Sequence, residues 1–399
     1  MKKLNKKVII VINAGSSSIK YKIFRKSNDE VIASGQIEKV GNTHSIFSLK
    51  YKQNKIEQIL PISNHKVGIQ KILDELRNNK IINNLNDIHA VGHRIVMGGS
   101  LCTKSVVVTT AVKKYLISLF PLAPLHNPPE VQTIEVFEKL LPCVKNVCVF
   151  DTSFHRTIPD FNNYPLDQKV VKKFKIYKYG AHGTSYRFIS EKMKSILKKK
   201  NLNLIVCHLG NGASICEIVN NKSFNTTMGL TPLEGLMMGT RSGDVDPSVV
   251  TYLIRQGYTA DKVDNLLNKE SGLKCITGCN DCRDVLLLAK KRNKNAILGL
   301  KMFISRIAKY IVAYANEILN YGKIDAIVFT AGIGENSSPI IKMLIDKLPI
   351  LNLKLNEKKL TQQYSDWKLI SNNDSKIKMY QVHTNEELMI EQDVKKLVK

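Results

Sequence analysis

Apolar and polar positions along this chain fall into blocks that switch between two periods. Val8–Ile12 is an unbroken apolar run, followed by a polar turn (NAGSSS) and a half-apolar run, IKYKIF. About half the chain later the pattern returns as LIVCHL, a Gly-Asn-Gly turn, and SICEIV, with Ser214-Ile215 matching Ser18-Ile19. Short apolar runs bounded by turn residues read as buried strands. A strand–turn–strand unit that occurs twice predicts two similar halves facing each other across a cleft. Helical spacing appears in HNPPEVQTIEVFEKLL, where Asn127 is placed to cap and Pro128 and Pro129 suit the first turn. It recurs in SVVTYLIRQ, opened by Asp246-Pro247 and stopped by Gly257, and in a long stretch from Ala296 to Tyr321 ended by Gly322. Val144–Phe150 reads as a buried strand ending at Asp151. Asp325–Thr330 reads as a strand running into AGIGENSS, with Pro339 starting the next helix. Alternating strands and helices predict an α/β fold. Asn352–Lys378 is polar, and its pattern assigns no element.

A chain of 399 residues exceeds one ordinary core, so two or three domains are expected. The net charge of +26 suggests nucleic acid, but the basic residues are 50 Lys and only 10 Arg. The Lys pairs are scattered and lack interleaved aromatics, whereas base readout favours Arg. Solvated Lys-rich faces are the expectation, with no nucleic-acid partner beyond weak attraction to polyanions. No run of about 20 apolar residues is present, so no membrane span is expected. The basic start MKKLNKK precedes an apolar run shorter than the roughly 7 residues of a signal core, so a buried first strand and a cytoplasmic protein are expected. Eight cysteines in this length do not read as a secreted disulfide framework.

The two turns are built from Gly, Asn, Ser and Ala, which let backbone N–H groups approach an anion closely. In NAGSSSIK, Asn13 is placed to orient a metal-bound water or a phosphate, and Lys20 to reach phosphate oxygens as a point charge. The segment lacks the Gly-Lys-Ser/Thr ending of a P-loop, and it also reads as a plain polar hairpin turn. HLGNGAS reads either as a hairpin with an Asn-Gly turn or as a second phosphate loop, and the duplication favours the phosphate loop. TAGIGENS has only two glycines of a dinucleotide fingerprint and equally suits a loop around the sugar or α-phosphate of ATP.

GHRIVMGG and MMGTRSGDVDP each set one Arg, Arg94 and Arg241, among glycines. Glycines there are expected to make room for a substrate whose carboxylate or phosphate the Arg binds bidentately; a structural salt bridge is the other reading. Asp151 stands at the C-terminal end of a buried strand, a position that favours a site. His182 lies between glycines, where it is expected to be accessible. Cys275, Cys279 and Cys282 are too few for a closed zinc site, and free thiols are the reading.

Taken in order, from NAGSSSIK near the start to TNEE near the end, these motifs closely resemble the acetate kinase family. The most specific stretch is TTMGLTPLEGLMMGTRSGDVDP, Thr226 to Pro247. The resemblance implies two actin-like (ribonuclease H-like) lobes built from a duplicated β-rich phosphate-binding core. It implies reversible transfer of the ATP γ-phosphoryl group to acetate, giving acetyl phosphate and ADP, with Mg²⁺ or Mn²⁺, in a homodimer. Carried over by motif, Asn13 and Glu386 act at the metal and Lys20 contacts ATP. Arg94 holds the carboxylate, Asp151 is the acid/base group, and His182 and Arg241 stabilise the transferring phosphoryl group. His208, Leu209, Gly210, Asn211 and Gly212 form part of the nucleotide site. Asp281, Cys282 and Arg283, with Gly332, Ile333, Gly334, Glu335 and Asn336, form the rest. Val96, Leu125 and Pro232 line the acyl pocket. The implied lobes are residues 1–150 with 385–399, on the acyl and metal side, and residues 151–384, on the nucleotide side.

The chain departs from the commoner family pattern at several positions. Ala181 stands where many members have Phe, Tyr186 and Met97 where His is frequent, and Asn225 where Asp is frequent. ITGCNDCR is one residue shorter than usual. Ala181 is expected to open the acyl pocket, making propionate a second substrate, since one methylene in an apolar pocket is worth only about 1–3 kcal/mol. A propionate or butyrate kinase is the nearest alternative, and a non-catalytic ATP-binding switch of the actin-like type is the alternative from another class.

Overall fold

The computed structural model describes residues 7–399, so most of the basic leader lies outside the described residues. The chain divides into two compact units. Unit 1 comprises the residues up to Phe154 together with Asn385–Lys399, and unit 2 comprises His155–Thr384.

The sheet of unit 1 contains β1 (Val8–Ala14), β2 (Ser18–Arg25), β3 (Val31–Glu38), β4 (Asn42–Tyr51), β5 (Asn54–Ile62), β6 (Ile88–Ile95), β7 (Val106–Val107) and β8 (Lys145–Phe150). Their order across the sheet is β5-β4-β3-β2-β1-β6-β8-β7. β1 pairs antiparallel with β2 and parallel with β6, and β6 pairs parallel with β8. The unbroken apolar run of β1 follows from burial on both faces. Val8, Ile10 and Ile12 join a cluster with Ile69, Ile72 and Phe137, while Ile9 and Val11 join Ile390 and Val394 of the helix Glu386–Leu397. That helix sits close because β6 has a glycine beneath it. A Cβ on Gly92 would lie 2.7 Å from Ile390 Cγ2 and 2.8 Å from Val394 Cγ2.

Unit 2 repeats the plan. Its strands are β9 (Leu204–Leu209), β10 (Ala213–Val219), β11 (Lys222–Thr226), β12 (Ala326–Thr330), β13 (Trp367–Leu369) and β14 (Lys378–Val382), in the order β11-β10-β9-β12-β14-β13. β9 pairs antiparallel with β10 and parallel with β12, and β12 pairs parallel with β14. Each sheet therefore carries the ribonuclease H-like arrangement of three antiparallel strands followed by two parallel ones. The duplicated hairpins supply the first two strands of each. Ile205, Cys207 and Leu209 pack with Phe303 and Ile307 of the helix Lys294–Ile318.

Three local expectations change. Asn127 is the first helical residue rather than the cap, and His126 stands at the cap position, where its side chain makes no capping bond. The Asn127 amide instead brackets the backbone of Met97, accepting from its N–H at 3.1 Å and donating to its carbonyl at 3.0 Å. Satisfying that buried backbone outweighs a cap where two prolines already preset the first turn. AGIGENSS is not a loop: Ala331–Asn336 is a short helix, followed directly by the helix Ser338–Asp346. The polar stretch 352–378 contains the helix Glu357–Thr361 and β13, a three-residue edge strand too short to show a period.

Glu217 on β10 is fully buried. Burial, reinforced by the nearby Glu317 carboxylate, pushes its carboxyl up to about 9. The native state therefore holds a proton that the unfolded chain releases above about pH 4.5. Stability is lost as pH rises between those two values, by about 1.4 kcal/mol per pH unit at the steepest. Glu217→Gln is expected to flatten that slope, raising the melting temperature at pH 8 and changing it little at pH 5. Parallel melting curves of the two proteins across that range check it.

Candidate active site

In unit 1 two strand ends and the start of the last helix gather three polar side chains around the Arg94 guanidinium. Arg94 lies near the end of β6, Asp151 directly follows β8, Asn13 is near the end of β1, and Glu386 opens the last helix. Arg94 donates from Nε and Nη2 to Asp151 Oδ2 at 3.1 and 2.6 Å, and from Nη1 to Asn13 Oδ1 at 3.2 Å. Glu386 Oε2 lies 3.7 Å from Arg94 Nε. Asp151 is fully buried, its backbone N–H held by the Ile95 carbonyl at 2.9 Å. Burial works against the Arg94 charge, but Asp151 and Glu386 outweigh it and hold the guanidinium above its ordinary value. Glu386 is pushed up to about 7 by burial, with Arg94 pulling it down and Asp151 pushing it up.

Glu130 is a member of this region that the sequence reading missed. Its buried carboxyl accepts the Val96 N–H at 3.1 Å and is pushed up to about 8 by burial, against the pull of Arg94. The signal was present: Glu130 lies four and seven residues before Ile134 and Phe137, on the buried helical face. Asn127 and Glu130 thus latch the backbone of residues 96 and 97 from one helical turn.

In unit 2, His182 stands at the head of the helix Gly183–Leu197 with φ of 57°. Its ring stacks on His208 with centroids 4.1 Å apart, and its Nδ1 bonds Ser214 Oγ at 2.8 Å. Ser214 Oγ also bonds the buried Tyr186 hydroxyl, and His208 Nδ1 bonds Ser185 Oγ at 2.9 Å. Arg241 approaches the same spot, for a Cβ built on Gly212 would lie 3.7 Å from both Arg241 Nη1 and His182 Nε2. Arg241 Nη1 donates to the Pro232 carbonyl at 2.9 Å.

Beside this group opens a cavity of about 800 Å³, within the range of a small-molecule site. Gly210 and Asn211 line one part, Asp281, Cys282 and Arg283 another, and Gly332, Ile333 and Asn336 a third. Three separate motifs thus meet on one cavity. The short ITGCNDCR segment is two helix ends. The helix Gly272–Thr277 stops at Gly278 with φ of 77°, and Asp281 caps the helix Cys282–Lys290. Asn280, Leu286, Leu287 and Lys290 also line the cavity but escaped the sequence reading, although the helical spacing of residues 283, 286, 287 and 290 put them on one face. Ser337 and Pro339 complete it from the next helix.

Other positions fall elsewhere. Leu209 is fully buried in the core of unit 2, leaving only its backbone for a ligand. Gly334 packs under Phe329 and the Cys207 carbonyl, and Glu335 turns away from the cavity lining towards His383. Lys20 is exposed in unit 1, its backbone opposite Asn13 and its charge acting on Glu386. Val96 and Leu125 belong to unit 1, the first buried and the second 39% exposed, whereas Pro232 belongs to unit 2.

The glycines around the two arginines make room for protein rather than substrate. Gly92 admits the last helix, and Gly239 admits Asn211, whose Oδ1 would lie 1.8 Å from a Cβ there. Ala181 is also buried in the core of unit 2, with its carbonyl held by His155 Nε2 at 2.8 Å. Ala181→Phe therefore overpacks a core position and is expected to cost about 1–3 kcal/mol of stability. A melting curve checks that cost, and acyl kinetics compared at a temperature where both proteins are folded then report selectivity alone. All eight cysteines are free, and among the described residues no group of three His, Cys, Asp or Glu side chains is arranged to hold a metal.

The model of the acetokinase family matches residues 8–392. This chain belongs to the acetokinase family. It is 45% identical over 387 residues to an acetate kinase of Mycoplasma genitalium, covering 96% of each chain. It is 42% identical to acetate kinase 1 of Listeria monocytogenes, with 98% of each chain covered. Among solved structures, a propionate kinase from Francisella tularensis superposes with a TM-score of 0.93 at 38% identity, covering 98% of this chain and 100% of that one. Acetate kinase from Porphyromonas gingivalis superposes with a TM-score of 0.90 at 36% identity over the same shares. Acetokinase members named for acetate and for propionate thus both share this fold.

Proposed function

We propose that this chain is an acetate kinase that transfers the ATP γ-phosphoryl group reversibly to acetate and accepts propionate as a slower substrate. The observation that carries the reading is the bonding of Arg94. Its guanidinium has five N–H donors, of which Asp151 and Asn13 occupy three. Two remain, the number a carboxylate takes. Acetate is already ionised at neutral pH, so no base is needed to activate it. Asp151 accordingly serves to orient Arg94 rather than to carry a proton.

Both reactants are anions, and the polar groups of each unit offset their repulsion. In unit 2, the Tyr186 hydroxyl, the Ser214 hydroxyl and His182 Nδ1 form a hydrogen-bonded chain that orients the His182 ring; in the tautomer whose Nδ1 accepts from Ser214, Nε2–H donates to a phosphoryl oxygen. Arg241 Nη1 supplies a second donor on the same side of Gly212. Phosphoryl transfer needs mainly alignment and charge stabilisation, which such fixed donors provide. The nucleotide occupies the 800 Å³ cavity, with the backbone of Gly332 and Ile333 beside it. Transfer is direct and in line.

The donors of Asn13 and Glu386 fit a divalent cation. Both are hard oxygens, and both lie against the one Arg94 guanidinium. One or two protein oxygens completed by substrate phosphates are the usual Mg²⁺ arrangement. When bound there, Mg²⁺ neutralises charge on the phosphate oxygens.

The protein is further proposed to be a cytoplasmic homodimer. Val249, Tyr252 and Ile254 on the helix Ser248–Arg255 are exposed, and that helix buries no residue of its own. Function is tested by incubating the protein with MgATP and acetate, propionate, butyrate or no acceptor, trapping acyl phosphate with hydroxylamine. Hydroxamate formed most rapidly with acetate supports the reading. ATP binding without acyl-dependent turnover overturns it in favour of a non-catalytic switch.

A further inference from the structure

Three side chains of unit 1 take the first backbone N–H groups beyond strand β6. Glu130 Oε2 accepts from Val96 at 3.1 Å, Asn127 Oδ1 from Met97 at 3.1 Å, and Thr152 Oγ1 from Gly98 at 3.2 Å. The Ile95 carbonyl before them accepts from the Asp151 N–H at 2.9 Å. Val96, Met97 and Gly98 are buried, so each N–H needs a partner within the fold. Two of the three latches are neutral groups. The third is a carboxyl, although an amide or a hydroxyl holds an N–H at lower desolvation cost. Glu130 is itself buried, in the opening turn of the helix Asn127–Leu140, which starts two residues after Leu125. One helix start therefore ties together Leu125, Val96 and, two residues before Val96, Arg94. These residues and Glu130 all lie in unit 1.

We propose that Glu130 is a positioning residue for the acyl substrate: through the Val96 N–H it fixes Val96 beside the Arg94 guanidinium, and so sets the affinity for acetate and the preference for acetate over propionate. The inference rests on the assignment of Arg94 and Val96 to the acyl substrate under the proposed function. The acid also fits the charge balance around Arg94. Burial pushes Glu130 up to about 8; Arg94 on β6 and the Val96 N–H pull against that rise, and Asp151 beyond β8 adds to it. The Cys148 thiol on β8 lies within the field of Glu130 and is itself held far above its ordinary value by burial. Glu386, at the head of the last helix, faces the same guanidinium. At neutral pH Glu130 is mostly protonated. Its carbonyl oxygen keeps the Val96 N–H, and it adds no negative charge to those already set against Arg94. Above about pH 8 it ionises and opposes the approach of a substrate carboxylate.

The test reads KM and kcat for acetate and for propionate at saturating MgATP, between about pH 7 and 9.5, in the wild-type protein, Glu130→Gln and Glu130→Ala. Glu130→Ala leaves the Val96 N–H without its acceptor. At about pH 7 it is expected to raise KM for acetate about tenfold and to narrow the acetate-over-propionate ratio of kcat/KM about threefold. Glu130→Gln keeps an acceptor and cannot ionise, so it is expected to bring both values back to within about twofold of wild type. KM for acetate in the wild-type protein is expected to rise about fivefold as Glu130 ionises, a rise absent from Glu130→Gln. Glu386 is common to both proteins, so the difference between their profiles isolates Glu130. KM for MgATP should stay within about twofold in both variants, a value that general loosening of the fold would move. If the alanine variant folds poorly, the profiles of the wild-type protein and Glu130→Gln decide alone. Parallel profiles in these two overturn the proposal. So does an alanine variant with unchanged acetate KM and selectivity, or one whose KM for MgATP rises in step. Arg94→Ala serves as the control: if it leaves KM for acetate intact, the carboxylate assignment of Arg94 fails first.

Discussion

Arg94→Ala is expected to reduce kcat/KM for acetate by about a thousandfold, corresponding to about 4 kcal/mol of transition-state stabilisation. KM for MgATP should stay within about twofold, because the cavity proposed for the nucleotide is built from residues of unit 2. Arg94→Lys should recover little, since an ammonium cannot present the planar fork that spans Asp151, Asn13 and a substrate carboxylate at once. Arg94→Ala also removes a charged partner of the fully buried Asp151 carboxylate. Breaking such a pair costs about 3–5 kcal/mol, so its melting temperature should fall. The double variant Arg94→Ala with Asp151→Asn removes that charge and should regain stability without regaining activity. Steady-state kinetics and melting curves on the three proteins separate the two effects. Retained acetate turnover in Arg94→Ala would remove the carboxylate site from unit 1.

Arg241→Ala is expected to lower kcat by about 10²–10³-fold, the range for loss of one preorganised donor to a developing charge. Its effect should differ in kind from that of Arg94, with kcat falling and KM for acetate nearly unchanged. The backbone of Arg241 is fixed independently of its side chain, since its carbonyl accepts the Met238 N–H at 3.1 Å. The side chain bonds the Pro232 carbonyl, so a modest local loosening at Pro232 is also expected. Single-turnover phosphoryl transfer with preloaded ATP measures the chemical step directly. A loss confined to ATP binding would assign Arg241 to the nucleotide instead of the transferring group.

The duplication was legible because β1 and β9 are buried on both faces and so read as unbroken apolar runs. Arg94, Arg241 and His182 stood out because small residues flank them, although the glycines serve packing: Gly92 admits the last helix and Gly239 admits Asn211. Much of the cavity wall was less visible. Leu286, Leu287 and Lys290 lie on one face of an ordinary amphipathic helix, and no local motif distinguishes them from a packing face. Asn127 looks like a cap in sequence because a cap and a latch on a distant backbone use the same amide, and only the tertiary fold brings Met97 within reach. Glu335 shows the converse. Its motif points to nucleotide, while its bonds to His383 and Thr384 depend on strand β14, which the sequence places nearly fifty residues away.

The most direct test of the central claim follows an oxygen atom. Acetate labelled with ¹⁸O in both carboxyl positions is converted with MgATP, and the acetyl phosphate is examined by phosphorus NMR. Attack of the Arg94-held carboxylate on the γ-phosphorus is expected to leave one ¹⁸O bonded to phosphorus in every product molecule, seen as a single isotope-shifted signal. Acetyl phosphate whose phosphorus carries no label, or no acetate-dependent product at all, would contradict the account.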